Sequence, residues 1–183
     1  GVCFTVFIGV LTTRAVTAAA LDGVTLRNIT VKDETIGDNE SSWEHGYLEF
    51  EGLTAKGVTF ANAIMLGGTN ELTDCKLDSN NADQYAVWVE EGSTVIDGCT
   101  ITGARGAKTH EAYTSDVKSL VIKNSTFTLT KKPALVIGTV NADTSITMTG
   151  NTIDAQAGDQ GLYIYETDTD VSTFTFSESG NTI

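Results

Sequence analysis

Apolar and polar residues alternate along most of the chain, and one short pattern returns seven times. The segments RNITV, KGVTF, TDCKL, DGCTI, KNSTF, TGNTI and SGNTI share a small turn-forming residue: Asn28, Gly57, Asp74, Gly98, Asn124, Gly150 and Gly180. Three positions later each carries an apolar residue: Val31, Phe60, Leu77, Ile101, Phe127, Ile153 and Ile183. The position between is Thr in six copies and Lys76 in the other. Side chains of a strand alternate between its faces, so the threonines face solvent and the residue one after the turn faces inward with the apolar one. The inward column is then Ile29, Val58, Cys75, Cys99, Ser125, Asn151 and Asn181. Ser and Asn can line an interior only if like residues stack directly above one another and bond their neighbours, which requires parallel strands in register.

A second strand set, YLEFE, AIMLG, AVWVE, ALVIG and LYIYE, falls once per repeat. Its alternation predicts inward pairs Leu48/Phe50, Ile64/Leu66, Val87/Val89 and Leu135/Ile137, with Met65, Trp88, Val136 and Ile164 as an outward apolar stripe. Such a stripe is either a contact face or is covered by the longer loops. Successive turn residues are 17 to 30 positions apart, too close at most steps for strand–helix–strand units and too irregular for a propeller. The pattern predicts an all-β chain wound as a single-stranded parallel solenoid of about seven coils over residues 21–183, with strands about 4.8 Å apart. Residues 1–20 are expected to form a first strand, a cap or an assembly segment.

On the turn-x-Thr-apolar repeat and the Asn151/Asn181 ladder, the chain resembles the right-handed parallel β-helix family, which includes pectate lyases, polygalacturonases, phage tailspikes and bacterial surface proteins. The resemblance implies the right hand of the coil, as does the chirality of parallel crossovers. It implies little about activity. The paired Asp and the GHG tripeptide of the pectin hydrolases are absent from the sequence, which tells against hydrolysis.

The formal charge of −13, from 24 acidic and 11 basic residues, argues against nucleic acid or an anionic membrane surface as partner. No run approaches the roughly 20 apolar residues of a membrane-spanning helix, so no insertion is expected. Three cysteines, Cys3, Cys75 and Cys99, are too few for a disulfide framework. Cys75 and Cys99 fall on successive coils of the inward column, within reach of a disulfide but with parallel side-chain directions that would strain it; buried free thiols are expected.

The coil between Gly98 and Asn124 departs from the pattern, with GARGAKTHEAYTSD where an apolar strand is expected. As a lateral loop this segment would carry Arg105, Lys108, His110, Glu111 and Tyr113 one coil beyond Trp88, Glu90 and Glu91. It reads either as a solvated loop or as a groove. In the groove reading Arg105, Lys108, His110 and Glu111 form a catalytic set, with Trp88, Glu90 and Tyr113 binding a sugar. That set resembles the sugar-acting members of the family, because proton abstraction beside a uronate needs a base and charge neutralisation, and sugars stack on aromatic rings.

Acidic segments could hold calcium through several oxygens, and Glu166, Asp168 and Asp170 alternate onto one face; acidic turns that keep an edge-rich protein soluble explain them equally. His45 and His110 lie two or more coils apart, so no histidine pair or triad is expected. No cofactor is expected.

The segments VCFTVFIGV and GNTI read as uncapped solenoid ends. This leaves two expectations, a piece of a longer surface protein or a subunit that stacks end to end on itself into a filament. The functional expectation is an extracellular or cell-surface solenoid with a structural or adhesive role. The alternatives are a polysaccharide lyase or hydrolase and a non-catalytic carbohydrate-binding module, with glycans or the protein itself as partner.

Overall fold

The computed structural model describes residues 24–37, 47–79, 84–109, 116–131, 133–138, 143–154, 162–164 and 175–183. The first rung is β1 (Thr25–Arg27), β2 (Thr30–Lys32) and β3 (Thr35–Ile36); the second is β4 (Leu48–Glu51), β5 (Thr54–Lys56) and β6 (Thr59–Phe60). The third rung is β7 (Ile64–Gly67), β8 (Thr69–Thr73) and β9 (Lys76–Asp78); the fourth is β10 (Tyr85–Val89), β11 (Glu91–Asp97) and β12 (Thr100–Gly103). The fifth is β13 (Arg105–Thr109), β14 (Asp116–Lys123) and β15 (Thr126–Leu129); the sixth is β16 (Leu135–Ile137), β17 (Ser145–Thr149) and β18 (Thr152–Asp154). The last holds β19 (Leu162–Ile164) and β20 (Thr175–Ser179). Every strand pairs in parallel with its counterpart on the next rung, giving two walls of seven strands and a third of six. The result is an all-β solenoid.

Its interior is the inward half of each strand. Leu48, Phe50, Ile64, Leu66, Val87, Val89, Leu135 and Ile137 from the first wall are all 0–2% exposed and meet Leu72, Ile96, Leu120 and Ile122 from the second and Phe60, Leu77, Ile101 and Phe127 from the third. Burying a large aliphatic or aromatic side chain contributes about 1.5–3 kcal/mol, so the core rather than any single bond holds the stack.

The corner between the second and third walls is a column of residues in the left-handed region: Asp33 (φ 54°), Gly57 (65°), Asp74 (54°), Gly98 (64°), Asn124 (52°), Gly150 (65°) and Gly180 (63°). Only Gly, Asn and Asp enter that region at small cost, which is why the repeat begins on these residue types. Asn28 does not belong to the column. It also has positive φ, 52°, but lies at the corner between the first and second walls, where a Cβ on Gly52 would meet its Oδ1 at 2.7 Å. Val31 accordingly pairs with Ala55 in the second wall, and Ile36 takes the third-wall place above Phe60. The segment DETI carries the same turn-x-Thr-apolar pattern with half-buried Glu34 at the inward slot. Two corners demand the same backbone conformation, so local pattern alone cannot assign a segment to one of them.

Immediately after this corner the backbone N–H points into the core, and the next rung supplies its acceptor. Cys75 N–H donates to Cys99 Sγ (3.4 Å), Cys99 N–H to Ser125 Oγ (3.1 Å), Ser125 N–H to Asn151 Oδ1 (2.9 Å) and Asn151 N–H to Asn181 Oδ1 (3.0 Å). The Asn151 amide also donates to Ile122 O and Asn181 Oδ1, each at 2.9 Å. The five side chains thus form one internal line, as their alternation predicts. The drift from Cys to Asn is tolerated because each member offers an acceptor.

Candidate functional site

The outer face of the first wall gathers the groups with chemistry. Segment 105–109 is strand β13, not a loop. Its pairing aligns Tyr85 with Arg105 and Trp88 with Lys108, and the next pairing aligns Lys108 with Val136. The strand escapes notice in the sequence because its core-facing places are taken by the small Ala107 and Thr109, both 0% exposed, where other rungs use Val, Leu or Ile. Thr109 keeps a polar tip there by accepting Gly138 N–H at 2.8 Å. Gly106 is required by close approach, since a Cβ would run into the carbonyl of Ala134 on the next rung.

This register places Lys108 among aromatic rings. Its Nζ lies 4.0 Å from the Trp88 ring centre and 5.1 Å from that of Tyr85, and the side chain is nearly buried at 5% exposure. Arg105 Cζ lies 5.3 Å from the Tyr85 ring centre, and Tyr47 meets Trp88 edge-on at 5.2 Å. Both cations therefore sit against π faces, where the ring quadrupole attracts them. Arg105 Nε is buried with no hydrogen-bond partner among the described residues.

Toward the first rungs the same face becomes acidic. A recess of about 220 Å³ is lined by Thr25, Arg27, Glu49, Glu51, Met65, Glu90 and Glu91. Arg27 is ion-paired with Glu51, and Thr25 Oγ1 donates to Glu49 Oε2 at 2.7 Å. The expected apolar stripe is thus interrupted. Its register runs Glu49, Met65, Trp88, Lys108, Val136, Tyr163, and Ile164 pairs with Ile137 instead of joining it.

Of the residues proposed from sequence, Arg105, Lys108 and Trp88 come together, and Glu90 is exposed on the recess wall. His110, Glu111, Tyr113 and the calcium candidates Glu166, Asp168 and Asp170 lie outside the described residues, as do His45 and Cys3. Among the described residues no group of three or more His, Cys, Asp or Glu could hold a metal ion. Sequence reading missed Tyr47, Tyr85, Arg27, Glu49 and Glu51; the signal for them is the register with Trp88 and Met65, which becomes visible only once rungs are aligned.

Two buried polar groups stand apart from this face. Cys75 and Cys99 are free thiols, 2% and 1% exposed. A hydrogen bond from the Cys99 side chain holds the Cys75 thiol down to about 7, burial opposing it, while the Cys99 thiol is raised by giving that bond and by burial.

A model of the family described as "right handed beta helix region" matches residues 17–179. The chain belongs to that family. The hand of this β-helix is therefore right. Comparison with curated proteins gives no match. Comparison with solved structures gives none either.

Proposed function

We propose that this β-helix is a cell-surface scaffold with an adhesive role, whose first wall binds glycans without transforming them. The observation that carries the reading is the cluster of Tyr85, Trp88, Arg105 and Lys108 on one wall, with cations 4.0 to 5.3 Å from ring centres. Although the net charge of −13 opposes polyanions at long range, screening confines that repulsion, and at contact an aromatic surface next to fixed cations suits an acidic polysaccharide, whose apolar ring faces stack while its carboxylates meet the positive charge.

The test is retardation of the protein in gels containing uronate polysaccharides, run beside an ultraviolet assay for the unsaturated product of a lyase. Retardation that is lost in Trp88→Ala and Arg105→Ala, with circular dichroism showing both variants folded and no product formed, supports the reading. Steady product formation by the wild-type chain would replace it with the lyase alternative.

Self-association is a second reading. Leu26 on β1 and Phe176 on β20 are only partly buried against the core at the two extremes of the described stack. A second copy stacked end to end would cover them. Sedimentation of the purified chain distinguishes monomer from polymer, and a concentration-independent monomer discards this reading.

A further inference from the structure

The thiol pair Cys75/Cys99 has no place in the reading above, and its geometry suits a ligand. The two residues occupy adjacent rungs of one inward column, with Cys75 N–H donating to Cys99 Sγ at 3.4 Å. Parallel in-register strands aim both side chains the same way, which disfavours a disulfide because its dihedral must be near 90°. The rung spacing of about 4.8 Å is instead about twice a metal–thiolate bond of about 2.3 Å. Two thiolates one rung apart can therefore hold an ion between them in a near-linear arrangement with little movement of the backbone.

The surroundings select the ion. Both thiols belong to the apolar core cluster that also holds Leu72, Ile96 and Leu77, and the polar atoms in hydrogen-bond reach of the sulfurs include backbone carbonyls, Thr73 O at 3.3 Å from Cys75 Sγ and Leu72 O and Asp97 O each at 3.5 Å from Cys99 Sγ. Among the described residues no third Cys, His, Asp or Glu joins the pair. Zinc asks for four ligands and calcium for six or more oxygens, whereas soft thiolates select copper(I). We propose that Cys75 and Cys99 form a buried two-coordinate site for a soft monovalent cation of the copper(I) type. Binding displaces both thiol protons into solvent and leaves a bis-thiolate of net charge −1, which the Cys75 N–H helps to stabilise.

The experiment is an anaerobic titration of the full chain carrying Cys3→Ser, with copper(I) supplied from a chromophoric chelator. The expected result is one ion per chain, two protons released per ion, a raised Tm, and two sulfur neighbours by X-ray absorption. Cys75→Ser and Cys99→Ser should each reduce competition with the chelator to the level of the doubly substituted chain. Ser125 already serves as acceptor in the same column, so these variants keep the hydrogen-bond line, and circular dichroism checks that they fold. Undiminished binding in either variant, failure of the folded Cys3→Ser chain to compete for copper(I), or equally tight binding of zinc would overturn the proposal.

Discussion

The backbone N–H of Ser125 donates to Oδ1 of Asn151, 2.9 Å away on the following rung. Asn151 is 1% exposed, so without this acceptor the N–H would be buried and unpaired. Each such group costs about 1–3 kcal/mol. Asn151→Leu also removes the side-chain amide's bonds to Ile122 O and Asn181 Oδ1, and is expected to lower Tm by on the order of 10 °C. Thr152→Leu, one residue on but exposed and outward, should stay within about 0.5 kcal/mol of the wild type. Thermal melts of the two variants check the contrast.

Gly106→Ala should be more damaging than any exposed glycine substitution. The added methyl meets the Ala134 carbonyl, where Gly106 N–H donates to Pro133 O at 3.1 Å and Ala107 N–H to Ala134 O at 2.8 Å. Separating β13 from β16 by that much is expected to cost ~3 kcal/mol, read as a lower urea midpoint.

Lys108→Met keeps the length and apolar stem of the side chain and removes its charge. The loss of cation–π attraction to Trp88 and Tyr85 should cost ~1 kcal/mol. Tryptophan fluorescence should change in wavelength and quenching, and Lys108→Arg should restore most of the wild-type signal.

The Asp97 carboxyl is held below the ordinary aspartate range, first by the Asn124 side-chain amide at 2.9 Å and then by Lys123, whose Nζ lies 3.0 Å away. A carboxylate with a depressed folded-state pKa contributes stability that is complete above its unfolded value and is lost as pH falls through the folded one. Stability should therefore decline on acidification below the usual aspartate pKa, and Asp97→Asn should flatten that part of the profile. Urea midpoints measured across the acidic range test this.

Much of the fold was legible because a β-helix writes its geometry into every rung. The left-handed corner admits few residue types, and strand alternation alone assigns Ser125 and Asn151 to the interior. Asn28 misled because its corner asks for the same conformation. Strand β13 was hidden because Ala107 and Thr109 carry no strand-like bulk, and reading it as a loop put Lys108 in solvent. The aromatic–cation cluster depends on register between rungs 20 or more residues apart, such as Trp88 and Lys108, and no local pattern encodes that distance.

The line from Cys75 to Asn181 also has a sense of direction. Each member leaves a donor for its successor to satisfy, so a coil is completed by the one laid down after it. The column is therefore asymmetric along the stack: a break at Asn151 removes the acceptor of the Ser125 N–H but leaves Asn181 in place for its own, so it should loosen the rung that precedes it before the one that follows.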